Sequence, residues 1–564
     1  MKRPNVVLII TDDQGYGDLG CHGNPVLKTP NLDRLWADSV RLTNFHVCPT
    51  CSPTRAALVT GLYNNRTGVW HTIAGRSLLR EGVPTMADLF RAAGYRTAIF
   101  GKWHLGDNYP FRPQDRGFEE VLIHKGGGVG QTPDFWGNDY FDDTYFRNGR
   151  PERVRGYCTD VWFREAVRFI ERCAREGAPF FCYIATNAPH SPYRVPEGYA
   201  APYRGRVPEA RAKFYGMIAN LDENVGKLWA ALRRLGMEDD TVLVFTTDNG
   251  SSEGCSLDRG GFVKDGYNAG MRGKKGWIYE GGHRVPLFIR WPGGGISGGR
   301  DVPQLASAID LLPTLLDLCG IGPPEGAKFD GLSLKPLLTG EARRWPDRAI
   351  VVDSQWGRER AVKWENSCVM TQRWRLVNGE ELFDMLHDPG QRLDVSRKYP
   401  GVVSRLREVY ERWWEDVSKG FDPPPAIVIG SDRENPSTLT AHDWHAPLGS
   451  VPWNQSHILE GLEGNGYWLV RAAREGLYEF ELRRWPREAN LPLDGAPPGG
   501  RRFEFVEAGV SIGGVERRAP VRPGAKGITF RLHLRPGTYE LRTFLKAADG
   551  TTIGAYYVYV KRTG

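Results

Sequence analysis

Residues 5–13 read NVVLIITDD, a β-branched apolar run that stops abruptly on Thr11, Asp12 and Asp13. The same pattern returns along the first half of the chain. YRTAIF (95–100) runs into Gly101-Lys102-Trp103-His104, FFCYIAT (180–186) into Asn187-Ala188-Pro189-His190, and TVLVFTT (241–247) into Asp248-Asn249-Gly250, with VPLFIRW following at 285–291. Helical patterns fill the gaps. Thr85 and Asp88 make a capping box before MADLFRAAG, which stops at Gly94, and a second helix starts at about Thr159 with Trp162, Ala166, Phe169, Ile170 and Cys173 at helical spacing. Strands alternating with helices predict parallel strands covered on both faces, hence an α/β domain over residues 1–320.

In an open sheet of this kind, ligands bind outside the carboxyl ends of the strands. Singly, Asp-Asp after a strand or Asp-Asn-Gly is commonly a turn or a helix cap. Jointly, Asp12, Asp13, Asp248 and Asn249 form an all-oxygen set with about three negative charges, which suits a hard cation such as Ca2+ or Mg2+ and neither zinc nor copper. Arg55, Lys102, His104, His190 and Lys275 would surround the same opening with cationic and proton-donating groups, an arrangement fit for a tetrahedral oxyanion ester.

The nucleophile is sought in CPTCSPTRAALVTG (48–61). A C-x-x-C is a redox pair, half of a zinc site or incidental, but no second C-x-x-C completes a zinc ribbon and the βαβ context of a thioredoxin is missing. Cys51 precedes a helix whose free amides favour an anion. Sulfur is nevertheless a poor partner for an oxygen-loving cation. The mismatch disappears if Cys51 is oxidised to an aldehyde whose hydrate presents oxygens to metal and substrate.

PTCSPTRAALVTG resembles the first signature of the type I sulfatases of the alkaline phosphatase superfamily, in which the C-x-P-x-R cysteine is converted to formylglycine by a dedicated maturation enzyme. GYRTAIFGKWHLG (94–106) is similar to the second signature. TDDQGYGDLGC, TNAPHSPY, TDNG, GKKGWIYEGGHRVP and ELFDMLHDPG resemble further family blocks in the expected order, over about residues 4–415. The resemblance implies an alkaline-phosphatase-like mixed sheet between helices, and one Ca2+ ion held by Asp12, Asp13, Asp248, Asn249 and the modified Cys51. It further implies that a hydroxyl of the hydrate at residue 51 attacks sulfur with Asp248 assisting, while Lys102 and Lys275 hold the sulfate oxygens. His190 would serve the leaving oxygen, His104 would take the proton of the second hydroxyl to expel sulfate, and Arg55 would orient the hydrate. Spacing to Glu280 selects Lys275 as the family lysine and leaves Lys274 solvated. The activity so implied is sulfate-ester hydrolysis, of a sulfated saccharide with arylsulfates as surrogates. A phosphonate monoester or phosphodiester hydrolase using the same formylglycine is the alternative. A glycan-binding protein with an idle site is the rival from another class, disfavoured because every catalytic position is filled.

At 564 residues the chain is long enough for two or three domains. Residues 321–422 read as a small α+β subdomain in which VVSRLREVYERWWEDV (402–417) packs on an antiparallel sheet. Beyond Pro423–Pro425 the chain turns β-rich, with LYEFELRRW (477–485) and ITFRLHLRPGTYELRTFL (528–545) alternating at period two and Asp549-Gly550 marking a hairpin. Residues 423–564 are therefore expected to be an accessory β-sandwich, in which Trp468 and Trp485 could contact a polysaccharide, although aromatic residues of such sandwiches are usually core. The loop IHKGGGVGQTPDFWGNDYFDDTYF (123–146) could rim a pocket with its aromatic residues or simply pack on itself.

The balance of 74 basic against 67 acidic residues, +7 overall, suits anionic substrates and is far from a nucleic-acid-binding stripe. Nine scattered cysteines argue against a disulfide framework. No apolar stretch reaches bilayer length, and Val6–Ile10 is too short for a secretory core, so no membrane partner and a cytoplasmic location are expected, with the periplasm or secretion as the alternative if a leader has been removed. The sequence carries no signature of an oligomeric state.

Overall fold

Asn5–Thr11 is buried along its whole length and lies in the middle of a ten-stranded sheet. Its residues divide by parity, as a strand requires. Val6, Leu8 and Ile10 face a core built with Cys51–Thr60, Met86–Ala92 and Leu311–Leu318. Val7 and Ile9 face the other side, against Pro30–Asp38, Cys158–Glu176 and Glu209–Arg234. Helices on both faces are why these strands carry continuous apolar runs. The computed structural model describes residues 3–355, 358 and 360–563; Met1, Lys2, Trp356, Gly357, Glu359 and Gly564 lie outside it.

Thr241–Thr247 and Phe180–Ala185 flank the central strand in parallel, and Arg96–Lys102 and Glu120–His124 continue the parallel order. The last predicted parallel strand departs from expectation, because Leu287–Arg290 runs antiparallel to Thr241–Thr247. Between the two strands the chain forms only the pair Cys255–Leu257 and Val263–Gly266 and the short helix Glu280–His283. With no crossover helix to carry it back to the amino edge, it re-enters from the edge it left, and the sheet is mixed. The Thr85–Asp88 capping box is formed, and the helix it opens ends at Ala92 just before Gly94, whose φ is +84°.

A second, four-stranded antiparallel sheet runs from Ile350–Asp353 to Glu381–Asp384. Helix Pro400–Val417 sets Leu406, Tyr410 and Trp413 against Val351, Val369 and Leu376 of that sheet. From Ile427 to Arg562 two further sheets face one another over a single core that includes Trp468, Phe480, Leu541 and Val558. Trp468 and Trp485 are fully buried within it. Asp549-Gly550 turns the chain from Gly537–Ala547 into Thr552–Ile553. That core also takes in Leu78 and Phe111, so the C-terminal sandwich is packed onto the first 320 residues. All nine cysteines are free thiols. Among the described residues no helix is long and apolar enough to cross a membrane.

Candidate active site

Neighbouring side chains on a strand point to opposite faces, yet Asp12 and Asp13 serve one site. The reason is a break in the backbone: Asp13 has φ +70°, in the left-handed region, so its carboxylate turns back beside that of Asp12. Asp12 Oδ1 lies 3.4 Å and Asp13 Oδ1 4.0 Å from Cys51 Sγ. The parallel register pairs Thr11 with Thr247, which sets Asp248 and Asn249 beside the two aspartates. Asp13 N–H donates to Asp248 Oδ1 at 3.1 Å, and Asn249 Nδ2 donates to Asp13 Oδ1 at 3.0 Å.

The ligand atoms of Asp12, Asp13, Cys51 and Asp248 all lie within 4.8 Å of one another. Asn249 Oδ1 is buried and has no hydrogen-bond partner among the described residues. A buried amide oxygen without a donor, next to three carboxylates, is what a hard cation site looks like from the protein side. The donor set fits Ca2+.

Cys51 opens the helix Cys51–Thr60, all of it buried, and Arg55 follows one turn later on the same side. Arg55 donates through Nε (3.0 Å) and Nη2 (2.7 Å) to Asp248 Oδ2, and through Nη1 to the Lys102 carbonyl at 3.3 Å. Burial pushes the Cys51 thiol far up, more than the charge of Lys102 lowers it. An unmodified thiol here stays protonated at neutral pH and is a weak nucleophile.

Two lysines close the ring. Lys102 Nζ sits 2.7 Å from Asp12 Oδ2, fully buried, and Lys275 Nζ sits 2.7 Å from each oxygen of Asp13. Burial alone would raise the Asp13 pKa, but Lys275, His190 and Asn249 together hold it below the usual carboxylate range. Asp248 moves the other way, since burial and the nearby Asp12 charge push it up to about 6. Lys274, expected to be solvated, is instead tucked in, with Nζ donating to the carbonyls of Ser252 (3.1 Å) and Cys255 (3.3 Å). In GKKGW the two ammonium groups turn to opposite sides, and the loop carbonyls replace the water that Lys274 would otherwise keep.

His104 also has a left-handed backbone, φ +60°. Its Nε2 lies 2.8 Å from the Thr72 carbonyl, which can only accept, so the ring proton sits on Nε2. Nδ1 is left as a buried lone pair without a hydrogen-bond partner among the described residues. Burial and the Lys102 charge drive its pKa well below the ordinary histidine value, keeping it neutral. A Cβ on Gly127 would stand 2.3 Å from His104 Cε1, so only glycine lets that loop lie on the ring. His190 donates Nδ1–H to the Ser191 carbonyl at 2.6 Å and turns Nε2 toward Asp13 Oδ2, 3.8 Å away. Burial lowers its pKa to about 4.

Above these groups opens a cavity of about 510 Å³ with Cys51, His104, His190 and Lys275 at its floor and Ile73, Gln131, Leu448 and Trp453 among its walls. Of the loop 123–146, Gly127 and Gln131 line it. The loop's aromatic residues pack elsewhere: Tyr140 and Tyr145 are buried, and Trp136 meets Trp485 edge-on at 5.3 Å. Sequence reasoning missed Thr72, which acts through its carbonyl, and the contribution of the C-terminal sandwich. One signal was present, since His442-Asp443 follows the strand Ser437–Thr440 closely, the same strand-end pattern seen in the catalytic part.

The profile of the sulfatase family matches residues 4–321. The chain belongs to the sulfatase family. Sulfatases hydrolyse sulfate esters, and this sulfatase is a sulfuric ester hydrolase on an alkaline-phosphatase-like fold. A second profile, N-sulphoglucosamine sulphohydrolase, C-terminal, matches residues 272–413, short of the sandwich. The sulfatase is 34% identical over 515 residues to human N-acetylgalactosamine-6-sulfatase, covering 79% of this chain and 90% of that one. It is 34% identical over 373 residues to human arylsulfatase A, covering 61% and 69%. Among solved structures it resembles Ps i-CgsB in complex with k-i-k-neocarrahexaose, at 28% identity and TM-score 0.66, covering 75% of this chain and 94% of that one. It shares its fold with the phosphonate monoester hydrolase of Agrobacterium radiobacter, at 24% identity and TM-score 0.54, covering 74% and 96%.

Proposed function

We propose that this sulfatase hydrolyses the sulfate ester of a sulfated carbohydrate, with Cys51 matured to formylglycine and one Ca2+ ion held by Asp12, Asp13, Asp248, Asn249 and residue 51. The observation that carries the reading is the gathering of three carboxylates and the orphaned Asn249 oxygen around residue 51. The carbohydrate is suggested by relatives named for an N-acetylgalactosamine sulfate and by a neighbour crystallised with a neocarrahexaose.

The ion would supply fixed positive charge to the sulfate oxygens, and the aldehyde hydrate, installed by a maturation enzyme, would supply an oxygen nucleophile in place of the thiol. The remaining work falls to this chain's side chains. Lys102 and Lys275 neutralise the charge of the sulfate oxygens. Asp248 takes the proton of the attacking hydroxyl. Arg55 holds that carboxylate in place. His104 accepts the proton of the other hydroxyl at Nδ1, the nitrogen that the Thr72 carbonyl leaves free. His190, whose Nδ1–H is held on the Ser191 carbonyl, takes up a proton from solvent at Nε2 and delivers it to the ester oxygen as the S–O bond breaks, so that the alcohol leaves neutral.

The test is turnover on a panel of sulfated mono- and oligosaccharides, with a phosphodiester alongside and the mass of the peptide bearing residue 51 recorded on the same sample. The expected result is sulfate release from a saccharide, an aldehyde at residue 51, and loss of turnover in Cys51→Ala. A phosphodiester hydrolysed faster than any sulfate ester, or full activity with an intact thiol, would overturn it.

A further inference from the structure

Two catalytic-part loops and one stretch of the C-terminal sandwich enclose the cavity over Cys51, and the three are laced together by main-chain hydrogen bonds. Ala74 N–H donates to the His442 carbonyl at 2.8 Å, Thr132 N–H to the Trp453 carbonyl at 3.0 Å, and Gln455 N–H to the Gly130 carbonyl at 3.2 Å. Gln455 Nε2 adds a side-chain bond to the Gln131 carbonyl at 3.2 Å, and Tyr557 Oη donates to the Thr132 carbonyl at 3.1 Å. A module tethered by a linker would not share backbone bonds with both rims of the site. The sandwich is therefore a fixed wall of the cavity.

The wall has a distinct chemistry. The cavity floor is polar, with the Lys275 ammonium and the neutral rings of His104 and His190 around residue 51, whereas Ile73, Leu448 and Trp453 give the upper part an apolar lining. Trp453 is half-buried, and its indole is braced edge-on by the His457 ring at 5.0 Å. A rigid aromatic side chain at the mouth of a charged site offers a flat apolar face to a ligand whose other end is anionic. A sulfated sugar has that character: an anionic ester group and a ring face made of C–H bonds.

We propose that Trp453, supplied by the C-terminal sandwich, is a specificity-determining residue that packs against the sugar ring carrying the scissile sulfate. The inference rests on the carbohydrate sulfatase reading above. Small aryl sulfates need only the floor, and saccharide sulfates need the wall as well.

The full chain, wild type and Trp453→Ala, is assayed on p-nitrophenyl sulfate and on the sulfated monosaccharide of the panel that turns over fastest. The expected result is a fall in kcat/KM of about 10- to 50-fold on the saccharide, carried by KM, with a loss on the aryl sulfate at least fivefold smaller. Trp453→Phe is expected to restore most of the difference. Leu448→Glu, at a half-exposed position of the same wall, is expected to shift the ratio in the same direction by putting a hydrated carboxylate where the apolar face of the sugar would pack. Equal losses on both substrates, or none, would overturn the proposal, as would hydrolysis of aryl sulfates with no saccharide accepted. If neither substrate is turned over, the sulfatase reading itself fails. Calorimetric binding of N-acetylgalactosamine 6-sulfate to Cys51→Ala protein then decides the role of Trp453: weaker binding on adding Trp453→Ala supports it, and unchanged or undetectable binding sinks it.

Discussion

Arg55 aims two nitrogens at a single oxygen of Asp248, Nε at 3.0 Å and Nη2 at 2.7 Å, while the other oxygen accepts the Asp13 amide at 3.1 Å. All three side chains are buried. The arrangement places a guanidinium fork where a point charge could not make both contacts. Arg55→Lys is therefore expected to lower kcat at least 100-fold while leaving the protein folded. Arg55→Ala, which leaves a buried carboxylate unpaired, is expected to cost about 3–5 kcal/mol of stability. Steady-state kinetics and urea unfolding check the two, and a fully active Arg55→Lys enzyme would show that the fork is dispensable.

Removing the proposed cation would expose the mutual repulsion of Asp12, Asp13 and Asp248, whose ligand atoms lie within 4.8 Å of one another. Dialysis against a chelator is expected to abolish activity and lower Tm, and Ca2+ at a hundred times its Kd to return about 2.7 kcal/mol. Asn249→Leu removes the orphaned oxygen and is expected to raise the Ca2+ concentration needed for half-maximal activity. Identical Ca2+ titrations of variant and wild type would contradict the assignment of Asn249.

The tautomer set by the Thr72 carbonyl makes His104 a base at Nδ1, not an acid. His104→Gln is expected to lower kcat about 100- to 10,000-fold. If His104 acts on the second hydroxyl as proposed, the variant should still release one equivalent of alcohol in a rapid first phase and then stall. A variant that slows the first turnover as much as later ones would place His104 in the first step instead.

Asp18 lies behind the Asp12–Gly15 turn, with Oδ2 accepting the Gly15 amide at 2.8 Å and the Ser251 side chain beside the carboxyl. Burial raises its pKa from 3.8 to about 7. Between those values the folded state keeps a proton that the unfolded state gives up, so stability falls as pH rises through the window. At about 1.4 kcal/mol per pKa unit the cost above pH 7 is several kcal/mol. Asp18→Asn keeps the acceptor and cannot ionise, so its stability relative to wild type should improve from pH 5 to pH 8. A difference that stays flat across that range would mean that Asp18 ionises freely in the fold.

What could be read beforehand was whatever a short stretch of chain encodes by itself. The apolar run Val6–Ile10 with its terminal Asp12 and Asp13, the Thr85–Asp88 cap, and the period-two tail strands all depend on contacts within a few residues or on strand periodicity. Lys102, His190 and Asp248 were legible for the same reason. Each follows or ends a parallel strand of one sheet, and parallel register brings those ends to a common edge.

The local sequence alone therefore determined the strands, their buried character and the chemistry waiting at their ends. Only the tertiary structure decided the antiparallel direction of Leu287–Arg290, the retreat of Lys274 under the Ser252 carbonyl, the protonated nitrogen of His104 and the arrival of Trp453 over Cys51. Each of these depends on a partner distant in sequence, or on a backbone carbonyl that every residue carries alike. A side-chain pattern can announce a buried strand or an ion site, but it holds no record of which distant carbonyl or indole will come to rest against it.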